Sequence, residues 1–322
     1  MQIIRVHRCG GPDELVLDTL PTPIPGPGQA LVRVLAAGVN FIDVYHRSGT
    51  YPLPLPVAMG REGAGIVERL GPGDSSVAEG DRVAWSTVGG SYATEAILPT
   101  DQLVSLPAGV DERVAAAAML QGLTAHYLSR SSYPLKPGDT CLIHAAAGGV
   151  GQLLCQMAKL AGARVIATVS TSEKASIACE AGADETINYV EQDFAEEVKR
   201  LTRGAGVQVV YDGVGKDTFS KGLDCLAPRG YMILFGGSSG PVAPFDPVVL
   251  MHKGSLYLQR PTLGNFVATR DELLARSTDL FGWIQSGRLR VNIAATFPLS
   301  EAAAAHRLLV SRQAAGKILL IP

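Results

Sequence analysis

The residues best suited to chemistry form a glycine turn between two apolar segments. The sequence Cys141-Leu-Ile-His-Ala-Ala-Ala-Gly-Gly-Val-Gly151 joins a short β-prone run to a helical pattern over 152–160. Gly148 lets backbone N–H groups approach a phosphate, and Gly151 lets the helix pack closely on the strand, with the helix N-terminus facing the negative charge. The turn predicts a pyrophosphate site, although Ala146 replaces the first glycine of the usual fingerprint and ordinary tight turns contain similar triplets.

A second apolar run, Val165–Val169, completes a βαβ unit of the expected size. In a unit that prefers NAD, an Asp or Glu would end this strand and bind the ribose 2′-OH. No carboxylate stands there, and Ser170 with Lys174 follows at once, so the loop offers a hydroxyl and a cation to a 2′-phosphate. This pattern favours NADPH. The alternative is that Lys174 is a solvated helix residue whose charge Glu173 partly cancels.

Composition limits the class of protein. The 322 residues predict two domains, and 47% hydrophobic content is ample for two cores. A formal net charge of -2, without a basic cluster, argues against nucleic acid as a partner. The five scattered cysteines indicate mostly buried, free thiols of a reducing compartment. Neither a signal peptide nor an apolar run of about 18 residues is present, so we expect a cytoplasmic protein and no membrane partner.

The pattern of elements changes near residue 112. Before it, short alternating runs between glycines and prolines predict a compact, barrel-like β domain. After it, helical segments alternate with strand candidates and predict a doubly wound, six-stranded parallel sheet of the α/β class, with strands at 140–144, 164–169, 185–189, 207–212, 230–236 and 255–259. Residues 270–284 and 302–309 are helical, and 317–321 is a strand. We expect this last part to pack on the first domain and leave a ligand cleft.

Several motifs occur in a fixed order along the chain: Gly38-Val-Asn-Phe-Ile-Asp-Val-Tyr45, Arg47-Ser-Gly-Thr-Tyr51, Gly60-Arg-Glu-Gly-Ala-Gly65, Gly80-Asp-Arg-Val83, Gly122-Leu-Thr-Ala125, the glycine turn from His144, Val210-Tyr-Asp212 and Gly254-Ser-Leu-Tyr257. In these the chain resembles the medium-chain dehydrogenase/reductase superfamily over essentially its whole length, and most closely the zinc-free, zeta-crystallin-like NADPH:quinone oxidoreductase branch. The resemblance implies a GroES-like, β-barrel-type catalytic domain of residues 1–118 and 265–322 and an NADPH-binding Rossmann domain of residues 119–264.

Zinc-dependent relatives are the obvious competitor. Their catalytic metal needs three protein ligands, typically including a Cys and a His at the positions that are Asn40 and Arg61 here. Asn is a poor zinc ligand and a cation repels the metal. The structural zinc lobe needs four close cysteines, but none lies between Cys9 and Cys141. The histidines form no pair at metal spacing, and His144 is interpreted as a packing residue. We therefore expect no metal.

Without a Lewis acid, an acceptor must delocalise the negative charge that a hydride creates on its oxygen. Quinones and α,β-unsaturated carbonyls do so. Candidate catalytic residues are Asn40, Tyr45 and Tyr51, in a predicted loop region bounded by Gly38 and Gly49. The resemblance implies that Asn40 and Tyr45 lie close to the nicotinamide, so we interpret the three as positioning residues. Alternatively, Asn40 caps a turn and the tyrosines only line a pocket or anchor the loop.

The same resemblance implies further cofactor contacts. It adds Gly149 and Val150 to Gly148 and Gly151 of the turn as pyrophosphate contacts, and it assigns the 2′-phosphate to Ser170 and Lys174. Tyr189 would lie beside the adenosine, and Phe235, Gly236 and Ser238 near the nicotinamide half. Arg260, Pro261, Tyr127 and Arg312, the last placed in the final helix, occupy contact positions too. The alternatives are a plain glycine loop at 235–240, a core aromatic at Tyr127 and a solvated helix end at Arg312.

Three functions stay open. The leading hypothesis is an NADPH-dependent reductase of quinones or related enones. The second is a 2-enoyl thioester reductase, which uses the same hydride chemistry but needs a groove for a long acyl carrier. The third is a non-catalytic, crystallin-like NADPH-binding protein, because fold alone does not determine function. The resemblance also implies a homodimer through the Rossmann edge strand, and the uncharged run Ser255-Leu-Tyr-Leu-Gln259 agrees with it, because such a run is unsuited to an exposed sheet edge.

Overall fold

A computed structural model describes residues 1–73 and 75–322. Its strands are β1 Gln2–Val6, β2 Val16–Thr19, β3 Gln29–Val39, β4 Val57–Ala58, β5 Glu62–Leu70, β6 Arg82–Ser86, β7 Glu95–Pro99, β8 Val104–Ser105, β9 Thr140–Ile143, β10 Arg164–Val169, β11 Glu185–Asn188, β12 Val207–Asp212, β13 Leu226–Leu234, β14 Tyr257–Gln259, β15 Ile293–Pro298 and β16 Lys317–Ile321. Its α-helices are α1 Phe41–Ser48, α2 Glu112–Tyr127, α3 Gly149–Leu160, α4 Ser172–Glu180, α5 Phe194–Leu201, α6 Phe219–Asp224, α7 Val248–His252, α8 Arg270–Gln285 and α9 Ala302–Val310.

The chain divides into two compact units. The first comprises Met1–Leu123 and Phe266–Pro322, and the second comprises Thr124–Asn265. Among the described residues, no helix combines the length and the apolar character that crossing a membrane requires.

The first unit is built on β-sheet. Its larger sheet has the strand order β15-β16-β3-β5-β6-β8, and β7 pairs with β3 beside this path. A smaller sheet has the order β2-β1-β4. The long strand β3 pairs antiparallel with β5, β7 and β16. Its buried valines, with Trp85 and Tyr92, belong to one apolar core.

The second unit contains the predicted parallel sheet. Its strand order is β11-β10-β9-β12-β13-β14, and every neighbouring pair is parallel. The order reverses between β9 and β12, which is the arrangement that places ligands at the carboxyl ends of the strands. The prediction of a six-stranded, doubly wound sheet is confirmed. The largest differences are in two strand starts: β13 begins earlier, at Leu226, and β14 begins later, because Ser255 adopts a left-handed φ of 57°. Three strands also end one or two residues sooner than predicted, namely β9, β11 and β13.

Two local predictions were wrong. The segment expected to be a loop between Gly38 and Gly49 is the two-turn helix α1. Asn40 is its N-cap residue, its backbone N–H donates to Asp43 at 2.9 Å, and Gly49 ends the helix with a φ of 81°. Arg312 does not lie in the last helix, since α9 ends at Val310 and Arg312 takes a φ of 60° in the turn that follows.

Candidate functional site

The glycine turn has the close contacts that a helix needs to approach a strand. Gly148 is the N-cap residue of α3, and Gly149, Val150 and Gly151 form the first turn of that helix. A Cβ on Gly151 would lie 2.4 Å from the carbonyl oxygen of Ala145, so only glycine fits. Ala146 is fully buried, and its N–H donates to Thr168 O at 3.2 Å. The turn is thereby tied to β10, and α3 begins with N–H groups that have no partner within the helix.

A hydroxyl and a cation meet at the carboxyl end of β10. Lys174 Nζ donates to Ser170 Oγ at 3.2 Å, and the Lys174 N–H donates to Thr171 Oγ1, which caps α4. Lys174 is half-buried, whereas Glu173 is exposed. Tyr189 lies against the same strand end, because its N–H donates to Val169 O at 3.1 Å, and 43% of Tyr189 is exposed. The hydroxyl and the cation suit a phosphate ester on a ribose, and the aromatic ring of Tyr189 lies where the attached adenosine is expected.

The turn after β13 is held by the end of β12. The N–H groups of Phe235 and Gly236 both donate to Asp212 O, at 2.9 and 3.3 Å, and Ser238 N–H donates to Gly213 O at 3.2 Å. A Cβ on Gly236 would lie 2.5 Å from Gly213 O. The three predicted residues therefore form a fixed backbone surface at the carboxyl ends of the two strands.

Three more predicted residues lie in the same unit. Arg260 is exposed beyond β14, and its Nη1 donates to Leu234 O at 3.0 Å. Pro261 is buried. Burial raises the pKa of Tyr127, and the positive charge of Arg260 opposes that rise, so the two side chains lie within electrostatic reach. Tyr127 is only 2% exposed, which fits the core-aromatic interpretation as well as a contact with the cofactor.

In the first unit, Asn40 belongs to a buried polar network. Its Nδ2 donates to Glu62 Oε2 at 2.8 Å and to Gly38 O at 3.1 Å. Its Oδ1 accepts from Lys317 Nζ at 2.7 Å and from Gln121 Nε2 at 3.4 Å. All four hydrogen-bonding positions of this amide are therefore occupied by the protein.

Glu62 and Lys317 form the charged centre of that network. They make a direct ion pair and are 0% and 1% exposed. Glu62 Oε1 also accepts from the N–H of Leu120 at 2.6 Å. Burial lowers the pKa of Lys317, and the charge of Glu62 opposes that shift. Sequence reasoning missed both residues, although a lone lysine that begins an apolar strand and a glutamate among glycines are signals of a buried pair.

Tyr45 and Tyr51 are neighbours. Their ring centroids are 5.1 Å apart in an edge-to-face arrangement, and the Tyr51 N–H donates to Tyr45 O at 3.1 Å. His46 Nδ1 lies 3.0 Å from Tyr51 O. Tyr51 is 40% exposed and Tyr45 is half-buried, so both aromatic side chains are partly accessible to solvent.

His144, Arg312 and the cysteines discussed from the sequence lie outside these groups. His144 is buried, its Nδ1 lies 2.9 Å from Thr168 Oγ1, and its ring packs edge-on against Phe194, so it packs in the core. Arg312 is exposed in the first unit. Of the cysteines, all free, Cys141, Cys155 and Cys225 are buried, whereas Cys9 and Cys179 are exposed. Within 1–73 and 75–322, no three His, Cys, Asp or Glu side chains are grouped as metal ligands.

Comparisons with known proteins agree on one family. Residues 26–108 match the Alcohol dehydrogenase GroES-like domain, and residues 149–277 match the Zinc-binding dehydrogenase family. The chain is 48% identical to a quinone oxidoreductase of Pseudomonas aeruginosa, with 99% of both chains covered. It is 44% identical to a 2-haloacrylate reductase of Burkholderia sp, with 98% of both covered. The structure of Escherichia coli quinone oxidoreductase complexed with NADPH has a TM-score of 0.98 at 44% identity and covers 100% of both chains.

Proposed function

Because the chain belongs to the quinone oxidoreductase branch of the medium-chain dehydrogenase/reductase superfamily, we propose that it transfers a hydride from NADPH to quinones or related α,β-unsaturated carbonyls. The sequence-based assignment to this branch, with its GroES-like domain, is confirmed. The observation that carries the cofactor choice is the contact between Lys174 and Ser170 at a strand end that lacks a carboxylate. When bound, NADPH supplies a hydride from C4 of its nicotinamide.

Each of the two domains predicted from the sequence has its own part in this proposal. Residues 119–264 form the NADPH-binding domain, in which the first turn of α3 receives the pyrophosphate and Lys174 neutralises the 2′-phosphate. Residues 1–118 and 265–322 form the catalytic domain, in which Tyr45 and Tyr51 position the acceptor. Asn40 is a positioning residue that holds the buried network together, because both N–H groups of its amide already donate to the protein and none is left for the acceptor. The remaining proposed contacts with the cofactor come from the turns after β13 and β14 and from the exposed Arg312.

The proposal includes no catalytic zinc. Asn40 and Arg61 stand where zinc-dependent relatives have ligands, and Asn40 Oδ1 already accepts from the Lys317 ammonium. A second cation at that oxygen would face strong electrostatic repulsion. Acceptors that delocalise the developing negative charge are therefore the expected substrates. A 2-haloacrylate reductase among the relatives supports a small unsaturated acceptor.

The test of the cofactor site is Lys174→Gln. Loss of one charge-assisted contact with the 2′-phosphate, worth about 1.5–3 kcal/mol, should raise the Kd for NADPH by roughly 10- to 100-fold. The Kd for NADH should stay nearly constant. Fluorescence titration with both cofactors measures this, with Lys136→Gln, an exposed lysine of the same unit, as the matched control. Equal losses for NADPH and NADH would contradict the phosphate role.

A substrate screen that follows NADPH absorbance, with and without a chelator, tests the reaction. We expect turnover of quinones and enones that the chelator leaves unchanged. A crotonyl thioester reduced much faster than any quinone would establish the 2-enoyl thioester reductase instead. Tight NADPH binding without turnover of any acceptor in the panel would indicate the non-catalytic, crystallin-like protein.

We also propose a cytoplasmic homodimer. The edge strand β14 exposes 51% of Tyr257 and 37% of Leu258, and Val248 and Met251 of nearby α7 are 47% and 61% exposed. Uncharged edges of this kind pair readily with a second strand. Leu258→Lys should shift the protein from dimer to monomer in sedimentation velocity. A wild-type monomer would refute the proposal.

A further inference from the structure

Helix α1 buries its polar face. Its buried residues are Asp43, His46 and Arg47, whose i, i+3, i+4 spacing places them on one side of the helix. Phe41 and Tyr45 lie on the opposite side and are only half-buried, with ring centroids 6.3 Å apart. A surface helix normally turns its apolar face to the core, and here the buried face is the polar one. Polar contacts therefore have to set the rotation of α1 about its own axis.

A run of hydrogen bonds, the polar bridge, joins the two ends of that buried face. Tyr92 Oη donates to Asp43 Oδ2 at 2.9 Å and lies 3.2 Å from His306 Nε2. The other ring nitrogen, His306 Nδ1, lies 3.1 Å from Arg47 Nη1. An arginine can only donate, so Nδ1 accepts, and the neutral imidazole donates from Nε2 to the tyrosine oxygen. The polar bridge thus runs from Arg47 through His306 and Tyr92 to Asp43.

The two middle members of the polar bridge belong to elements outside α1. Tyr92 is fully buried between β6 and β7, its N–H donates to Met59 O at 3.0 Å, and its carbonyl accepts from the Ile4 N–H at 2.8 Å. Gly60 makes room for its ring, since a Cβ there would lie 2.3 Å from a ring carbon. His306 is 0% exposed and belongs to α9. Two separate elements therefore hold one face of α1.

The rest of α1 carries the tyrosines of the proposed acceptor site. Tyr45 is a residue of the helix, and its ring packs edge-to-face against Tyr51 at 5.1 Å. The backbone of Tyr51 is also tied to the helix, because its N–H donates to Tyr45 O at 3.1 Å and its carbonyl oxygen lies 3.0 Å from His46 Nδ1. A rotation of α1 would therefore move both tyrosines together. A displacement of about 1 Å in a positioning group can change a rate by about 100-fold.

We propose that Tyr92 and His306 are positioning residues, which complete the polar bridge and so hold α1 in the rotation at which Tyr45 and Tyr51 bind the acceptor. Neither Tyr92 nor His306 needs to touch the acceptor. This inference rests on the proposed function and adds to it two residues that lie far from α1 in the sequence.

The first test is Tyr92→Phe, which removes the bridging hydroxyl and keeps the ring that packs on Gly60. It should raise KM for a quinone by roughly 10-fold and leave kcat within about 2-fold, because a rotated α1 misplaces the acceptor. A loss of folded protein lowers kcat and leaves KM unchanged, so this split separates positioning from stability. Tyr211→Phe is the matched control: Tyr211 is also fully buried, its hydroxyl donates to Tyr133 O at 3.3 Å in the second unit, and its removal should not change KM.

His306 allows a rescue experiment. His306→Leu loses both bonds of the imidazole and should raise KM at least as much as Tyr92→Phe does. His306→Gln keeps one acceptor and one donor and should recover part of that loss. If His306→Leu does not fold, because Arg47 has lost its acceptor, Tyr92→Phe decides the question.

A background without the two tyrosines tests whether the effect passes through them. In the variant Tyr45→Leu/Tyr51→Leu, adding Tyr92→Phe should change kcat/KM by no more than about 2-fold. An effect as large as in the wild-type background would overturn the inference. A fall in kcat at constant KM in Tyr92→Phe alone would do the same, since it indicates only a loss of stability.

A spectroscopic measurement separates this inference from the proposed function. The protein is labelled with 3-fluorotyrosine, and the ¹⁹F NMR signals of Tyr45 and Tyr51 are assigned from their phenylalanine variants. Both signals should shift or broaden in Tyr92→Phe and stay unchanged in Tyr211→Phe. Unchanged signals in Tyr92→Phe would contradict the inference. A wild type that reduces no quinone refutes the proposed function instead, and the ¹⁹F signals still decide whether Tyr92 positions α1.

Discussion

Replacing Lys317 by methionine should strongly destabilise the first unit. Lys317 Nζ makes an ion pair with Glu62 and donates to Asn40 Oδ1, and both charged side chains are almost fully buried. Methionine keeps most of the side-chain volume, so the main effect is electrostatic. Removing one partner of a buried pair leaves an uncompensated charge and typically costs about 3–5 kcal/mol.

The contacts that remain place the expected loss near the lower end of that range. Without Lys317, Glu62 still accepts from Asn40 Nδ2 at 2.8 Å and from the Leu120 N–H at 2.6 Å. We therefore expect a loss of about 3 kcal/mol in the free energy of unfolding. The double variant Lys317→Met/Glu62→Gln should recover about 1–2 kcal/mol of it. It buries no net charge, but the recovery is partial because the new amide nitrogen faces an N–H donor, either Asn40 Nδ2 or the Leu120 N–H.

Denaturation followed by tryptophan fluorescence measures this effect directly. The two tryptophans of the chain, Trp85 and Trp283, both lie in the first unit and are buried. Arg33→Met is the matched control, because its pair with Glu68 is exposed, with side chains 46% and 36% accessible, and should cost no more than about 1 kcal/mol. A loss for Lys317→Met no larger than for the control would refute the reasoning. So would a double variant less stable than the single one.

Two more predictions concern a glycine and a buried acid. Gly151→Ala should lower the free energy of unfolding by roughly 1–3 kcal/mol and weaken NADPH binding, because the new Cβ would collide with Ala145 O. Gly282→Ala is the control: a Cβ there has no neighbour within 4 Å, so this variant should stabilise α8 by about 0.5–1 kcal/mol. Thermal unfolding and NADPH titration measure both effects. Burial raises the pKa of Asp43 from 3.8 to about 7, so the folded protein keeps a proton that the unfolded chain loses between these values. The free energy of unfolding should fall across that interval, by on the order of 4 kcal/mol, and Asp43→Asn should abolish this part of the fall in urea denaturation at a series of pH values.

The sheet of the second unit was predictable because its signals are local. Strands buried on both faces are continuous apolar runs, and the glycine turn after β9 marks where the first of them ends. Gly151 is required by contacts with Ala145 and Ala146, only a few residues away. A window of about thirty residues therefore contains all that determines this βαβ unit.

Helix α1 was missed although its signal was also local. Asn40 and Asp43 have the three-residue spacing of a helix start, and Gly49 stands where helices end. The neighbouring glycines and prolines suggested a loop more strongly than these caps suggested a helix. The turn at Arg312 is a different case, because a non-glycine residue in the left-handed region leaves no mark in the sequence.

The charges of the first unit were beyond sequence reasoning because they depend on strand pairing. Glu62 and Lys317 are 255 positions apart, and they meet because β3 pairs with both β5 and β16. The two adjacent residues Arg61 and Glu62 therefore have opposite environments. Glu62 is neutralised inside the unit by Lys317, whereas Arg61 is half-buried and donates to the Thr87 carbonyl oxygen. The burial of this ion pair therefore follows from the register of the sheet and from no single motif.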